Sequence, residues 1–267
     1  MWPVTLELSI FIGRTDPIAH PLSLLSYKFV TIQSLLNENR LESNRMNFPL
    51  LFESGHIFLL SGDDAWLLDT GSPVSFGRNK EIAIHGERFE ISSSYMGLNS
   101  EVLTDFIGRD TVGILGVDVL NLFDINFDFK KNIVSFFTNQ NSFDGITLTL
   151  DEFMEIPIVE VSIGGVTNRM FFDTGAQISY WQDDGLIRYP KDTVLSDFYP
   201  GFGQFDVQTH LVDCELGSLN KLLRIGSLPG ILGMTLMMAG VGGILGNEIL
   251  DARATVYQPR SKRLVFL

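Results

Sequence analysis

Apolar and polar residues alternate from Val4 to Ile12 and from Ile156 to Ile163, which is the two-residue period of a half-buried strand. Two shorter alternating runs flank His85-Gly86 between Glu81 and Ile91, so this stretch reads as a hairpin turning at a His-Gly dipeptide. Leu195 to Leu211 reads the same way, with Pro200-Gly201-Phe202-Gly203 as its tip. Helical spacing is confined to short stretches: Thr31 to Asn39, Ser100 to Ile107 and Ser218 to Leu223. The polar, turn-rich run Thr138 to Thr147 separates two larger blocks. The pattern predicts an all-β protein.

The blocks are copies of one another. Trp66-Leu67-Leu68-Asp69-Thr70-Gly71-Ser72 returns, 104 positions later, as Met170-Phe171-Phe172-Asp173-Thr174-Gly175-Ala176. Gly113-Ile114-Leu115-Gly116 returns 130 positions later as Gly243-Ile244-Leu245-Gly246. That second offset persists, matching Phe127 with Tyr257, Val134 with Leu264 and Phe136 with Phe266. Each unit therefore runs apolar strand, Asp-Thr-Gly, variable middle, Gly-Ile-Leu-Gly and a closing strand pair. Residues 1–48 lie outside the repeat, and the units divide as 49–140 and 141–267. Val4 to Ile12 is expected to add a strand, so the N-terminal segment is expected to pack on the fold.

Composition narrows the function classes. With 267 residues, 45% of them hydrophobic and 21 of them Phe, the chain has ample material for a core. A net charge of −13 without a basic stripe excludes a nucleic-acid binder, because the phosphate backbone repels such a surface. A single cysteine, Cys214, excludes an internal disulfide framework or a cysteine zinc site, and it reads as a small core residue. The N-terminus lacks the basic start of a secretory signal, and together with the lone cysteine this points to the cytoplasm. The stretch 225–246 carries no charge over 22 residues, enough to span a bilayer, but Pro229 and seven glycines argue against a helix there. No membrane span is expected.

The chemistry rests on Asp69 and Asp173. Each follows two large apolar residues, and a carboxylate at the end of a buried strand is costly unless it is hydrogen-bonded. The adjoining Thr offers a hydroxyl, and the Gly allows a tight turn that aims N–H groups at the carboxylate. The repetition suggests that the two sites face each other across a pseudo-twofold axis. Two touching carboxyls cannot both ionise easily and share a proton, so one can act as base on a water while the other donates to a carbonyl oxygen. Other features read blandly. Asp63-Asp64 and Asp183-Asp184 read as solvated turns. His20, His56, His85 and His210 lack ligand spacing, and Gly240 to Gly246 lacks the Lys of a phosphate loop. No metal and no cofactor are expected.

Leu-Leu-Asp-Thr-Gly-Ser with Gly-Ile-Leu-Gly, and Phe-Phe-Asp-Thr-Gly-Ala with Gly-Ile-Leu-Gly, resemble the two halves of a pepsin/retropepsin-type aspartic protease. The resemblance covers about 49–267. It implies a bilobal acid-protease fold of two similar barrel-like lobes with the active site between them, and a peptide or protein substrate. It makes Asp69 and Asp173 the catalytic pair. Thr70 and Thr174 cross-link the loops, Gly71 and Gly175 permit the turns, and Gly116 and Gly246 belong to the bracing segments. Ser72 is expected to bond its carboxylate, and Ala176 resembles the retroviral form of the motif. Because both loops lie in one chain, a compact monomer is expected. Flap hairpins in the pepsin-like branch carry a Tyr. The tip His85-Gly86 has none and the second tip has Tyr199 beside it, so His85, Gly86, Tyr199 and Phe202 are the candidate substrate contacts. The alternatives are a non-catalytic peptide-binding module on the same duplicated scaffold, and a membrane protein spanning at 225–246.

Overall fold

A computed structural model describes residues 44–199, 201–250 and 254–267, and Asn44–Leu267 form one compact unit. Val4 to Ile12, Thr31 to Asn39 and His20 lie outside the described residues. The boundary expected at 48/49 falls inside a strand, Arg45–Glu53, so the repeat unit begins before the residue at which the sequence comparison starts it.

Strands dominate, and the fold is all-β. Arg45–Glu53, His56–Ser61 and Asp64–Leu68 form an antiparallel meander that leads into Asp69. Gly113–Leu115 then lies parallel beside the last of these strands, with Trp66 opposite Gly113 and Leu68 opposite Leu115, and antiparallel to Phe76–Gly77. The second unit repeats this register. Ile156–Ile163 and Val166–Phe172 form a hairpin leading into Asp173, and Gly243–Leu245 lies parallel beside it, with Met170 opposite Gly243 and Phe172 opposite Leu245. It pairs antiparallel with Ser179–Trp181. Glycine is required at 113 and 243, because a Cβ there would run into the carbonyl oxygens of Phe76 and Tyr180.

The units are joined through one ten-stranded sheet. Strand Asp124–Asp128 pairs antiparallel with Thr255–Gln258, and Asn126 stands opposite Val256. Those positions correspond at the 130-residue offset, so a local twofold axis runs between them. Buried Phe127, Val134, Phe136, Tyr257, Leu264 and Phe266 belong to a single cluster shared by both units. This sets the closing strand pairs of the two units side by side in one sheet.

The hairpin Glu81–Ile84/Glu87–Glu90 forms as the alternation requires, and His85 and Gly86 both take positive φ at its turn. Lys191–Tyr199 and Gly203–Leu216 form the second hairpin. The helix Ser100–Ile107 is capped by Asn99, whose Oδ1 accepts from the Val102 N–H at 2.9 Å, and ends at Gly108 in the left-handed region. The helix expected over Ser218 to Leu223 is a strand instead, Leu219–Gly226, paired with Gly203–Leu216. Buried Leu219 and Leu223 are four apart and mimic a helical face, but Ile225 extends them as the inward set of a strand. Within the uncharged 225–246 stretch, Gly230–Met238 is a nine-residue helix and Gly243–Leu245 a strand. Among the described residues no helix is long and apolar enough to cross a membrane.

Candidate active site

The two Asp-Thr-Gly loops interlock. Thr70 Oγ1 donates to the Phe172 carbonyl at 2.7 Å and accepts from the Thr174 N–H at 3.0 Å. Thr174 Oγ1 donates to the Leu68 carbonyl at 2.7 Å and accepts from the Thr70 N–H at 3.1 Å. Both threonines are fully buried. Each loop also hangs from the strand beside it, since the Asp69 N–H donates to Leu115 O at 3.0 Å and the Asp173 N–H to Leu245 O at 2.9 Å. The bracing glycines lie against the loops, where a Cβ on Gly116 would meet the Ser72 carbonyl and one on Gly246 the Ile178 carbonyl. Gly116 N–H donates to Ser75 Oγ at 2.9 Å, and Gly246 N–H to Ser179 Oγ at 3.0 Å.

These contacts hold the carboxyls together. Asp69 Oδ1 accepts from the N–H groups of Gly71 and Ser72 at 2.8 and 2.9 Å. Asp173 Oδ1 accepts from those of Gly175 and Ala176 at 2.9 and 3.2 Å. A Cβ on Gly71 would collide with the Asp173 carboxyl, and one on Gly175 with that of Asp69, so only glycine lets the loops close on each other. Each carboxyl thus lies against the other's loop, close enough for the two to interact electrostatically. Burial pushes both above the usual carboxylate range, and for Asp69 the charge of Asp173 adds to the effect; the backbone N–H donors oppose it. Two carboxyls so placed do not both ionise easily.

Ser72 departs from expectation. Its hydroxyl donates to the Val74 carbonyl at 2.9 Å, and only its backbone N–H reaches Asp69. Ala176 does the same with its backbone, so the Ser/Ala difference leaves the carboxylate contacts equivalent.

The carboxyls open into an apolar cavity of about 390 Å³ whose walls include Leu67, Phe76 and Ile114 from the first unit and Phe171, Tyr180 and Ile244 from the second. Tyr199 lines it. Phe202 does not; it is 43% exposed and packs edge-on against Phe205 at 5.8 Å, and Phe205 is the residue that reaches the cavity. His85 and Gly86 are not among the lining residues. His85 stacks on Phe123, and its Nε2 is 2.8 Å from the Phe136 carbonyl. Buried Ile82 and Ile84 point the same way, so the inward face of this hairpin seals the core rather than the cavity.

From the first unit the tight turn Tyr95-Met96-Gly97-Leu98 also reaches the cavity. It is closed by reciprocal backbone bonds of 2.9 Å between Tyr95 and Leu98, with Met96 and Gly97 at positive φ. It approaches the second hairpin, since a Cβ on Gly201 would lie 3.6 Å from Met96 Cε. The sequence signal was the Tyr-Met-Gly-Leu turn itself, eclipsed by the longer alternation around His85. Also missed were Ser75 and Ser179, which correspond at the 104-residue offset, and Asn247, whose Nδ2 donates to Gly55 O at 2.8 Å and Thr174 O at 3.2 Å. His56 joins this bracing, its Nδ1 lying 3.1 Å from Gly175 O; burial lowers its pKa, so the neutral ring donates there. Among the described residues no group of three or more His, Cys, Asp or Glu is gathered that could hold a metal ion.

No family model matches the chain, and no curated protein does either.

Proposed function

We propose that the protein is an aspartic-type endopeptidase with a bilobal acid-protease fold, in which the two repeat units form the lobes and the cavity takes an extended peptide. The observation that carries this reading is the pairing of Asp69 and Asp173. Two half-buried carboxyls are set against each other's loops at the floor of an apolar cavity, each held by two backbone N–H groups.

The chemistry follows from one proton shared by that pair. The ionised carboxyl takes a proton from a water between the pair, and the water oxygen forms a bond to the scissile carbonyl carbon. The protonated carboxyl donates to the carbonyl oxygen, so a neutral tetrahedral diol forms and the pair ends with one proton, as it began. Protonation of the amide nitrogen and return of a hydroxyl proton to the pair then break the C–N bond, releasing acid and amine. Burial supports the reading, because a low-dielectric site keeps one proton on the pair over a wide pH range. Both loops lie in one chain, so a monomer suffices.

Cleavage of an unstructured peptide library tests the proposal. Asp69→Asn and Asp173→Asn should each abolish cleavage while the variants stay folded, and the double variant should be barely worse than either, because the pair acts as a unit. Substantial turnover in either single variant overturns the assignment. Peptide binding without cleavage by the wild type would make the protein a binding module on the same scaffold.

A further inference from the structure

A third carboxylate lines the same cavity, and the shared-proton chemistry makes no use of it. Asp197 lies on the hairpin strand Lys191–Tyr199 and is 7% exposed. One of its oxygens accepts from the Tyr180 hydroxyl, and the other accepts from the Phe198 N–H at 2.8 Å. Both donors are neutral. Among the described residues Asp197 makes no ion pair, and no Lys, Arg or His is among the residues lining the cavity. His56 senses its charge, but burial favours the neutral form of that ring and its Nδ1 is engaged by Gly175.

A carboxylate taken out of water without a cation is costly, and two neutral donors fill only about half of its four or so acceptor positions. Burial is the main cause of the raised pKa of Tyr180 and of Asp173, and the charge of Asp197 adds to both. Around it the wall is apolar, with Phe205, Leu228, Leu236 and Ile244 on the same side. An occupant that satisfies this wall has an aliphatic body and a cationic end. Lys and Arg side chains have that form, burying their stems along apolar surface and presenting a charged donor at the tip.

We infer that Asp197 is a specificity-determining residue, and that the cavity selects peptides carrying a Lys or Arg side chain at the subsite built by Asp197 and Tyr180. The inference rests on the endopeptidase reading and names its substrate class. An acidic side chain at that position is excluded, because it would be buried against Asp197.

The test is a set of fluorogenic peptides identical except at one position, scanned along the sequence on both sides of the scissile bond, with Lys, norleucine or Glu there. Norleucine retains an unbranched aliphatic stem and lacks the charge. At one position the wild type should favour Lys over norleucine at least tenfold in kcat/KM and should not cut the Glu peptide. Asp197→Asn keeps the size and can still accept from Tyr180. It should bring Lys and norleucine within about threefold of each other. The wild-type comparison stands alone should Asp197→Asn fail to fold. Equal wild-type rates for Lys and norleucine at every position overturn the inference and leave the endopeptidase reading intact. Cleavage of none of the peptides overturns that reading and the inference with it. A Lys preference unchanged in a folded Asp197→Asn variant shows that another group reads the charge.

Discussion

Replacing Thr70 with Val tests what holds the two loops together. The swap keeps the β-branched shape and removes one hydroxyl. It deletes the bond to the Phe172 carbonyl and the bond from the Thr174 N–H, in a region with no exposed surface. Two backbone groups are left buried with that partner gone. A stranded buried group costs about 1–3 kcal/mol, so the loss is roughly 2–6 kcal/mol. That is a large part of the ~5–15 kcal/mol that stabilises an ordinary domain. At about 2–4 °C per kcal/mol for a chain of this size, the melting temperature should fall on the order of 10 °C. Urea denaturation should show a lower midpoint with an unchanged slope, since the surface exposed on unfolding is the same. Thr70→Ser retains the hydroxyl and should lose only about 1 kcal/mol, the value of one buried methyl group. Thr174→Val should match Thr70→Val, because its bonds mirror those of Thr70. The double variant should lose less than the sum, as loops already parted by one change have less to lose from the other. A Thr70→Val variant within about 0.5 kcal/mol of wild type would show that the reciprocal hydroxyl bonds do not hold the loops.

The carboxyl pair should leave a signature in stability against pH. Its pKa is raised in the folded state, so the stabilisation is fully present below the unfolded value near 3.9 and is lost as pH rises through the folded value. Asp69→Asn removes that linkage, so its melting temperature relative to wild type should climb as pH rises above the unfolded value, and a flat or falling difference would contradict the shared proton. The His85 hairpin tip and the Tyr95 turn should separate in kinetics. His85→Ala should cost about 1 kcal/mol of stability from its lost bond to Phe136 and leave KM for peptides unchanged, whereas Tyr95→Ala should lower kcat/KM about tenfold, worth roughly 1.4 kcal/mol. The reverse pattern would put the cover where the alternation first suggested it.

The sequence by itself determined the all-β class, the pairing of units and the residues at their centre. Those signals are local and repeated. Asp-Thr-Gly after two apolar residues, and Gly-Ile-Leu-Gly, each state their own backbone demands, since glycine at 71 and 113 is required by contacts that any side chain would violate. The offset-130 match between Phe127 and Tyr257 lies in strands that pair with each other in the fold. What the sequence did not determine was which surface faces the cavity. The His85 hairpin alternates well, and alternation says that one face is buried but not against what. Only the packing of Ile82, Ile84 and His85 onto the core beside Phe123 and Phe136 turned that hairpin away from the cavity and left the short Tyr95 turn in its place. Ser218 to Leu223 reads as a helix for the same reason, because a four-residue apolar spacing fits either a helix or a strand until the neighbouring strand supplies the hydrogen bonds. Asp197 was silent in the chain, one acidic residue in a polar-looking run, and became conspicuous only when folding set it against Tyr180 inside an apolar cavity. Periodicity records how much of an element is buried; the partner it is buried against is a long-range fact, set by which sheets the chain brings together.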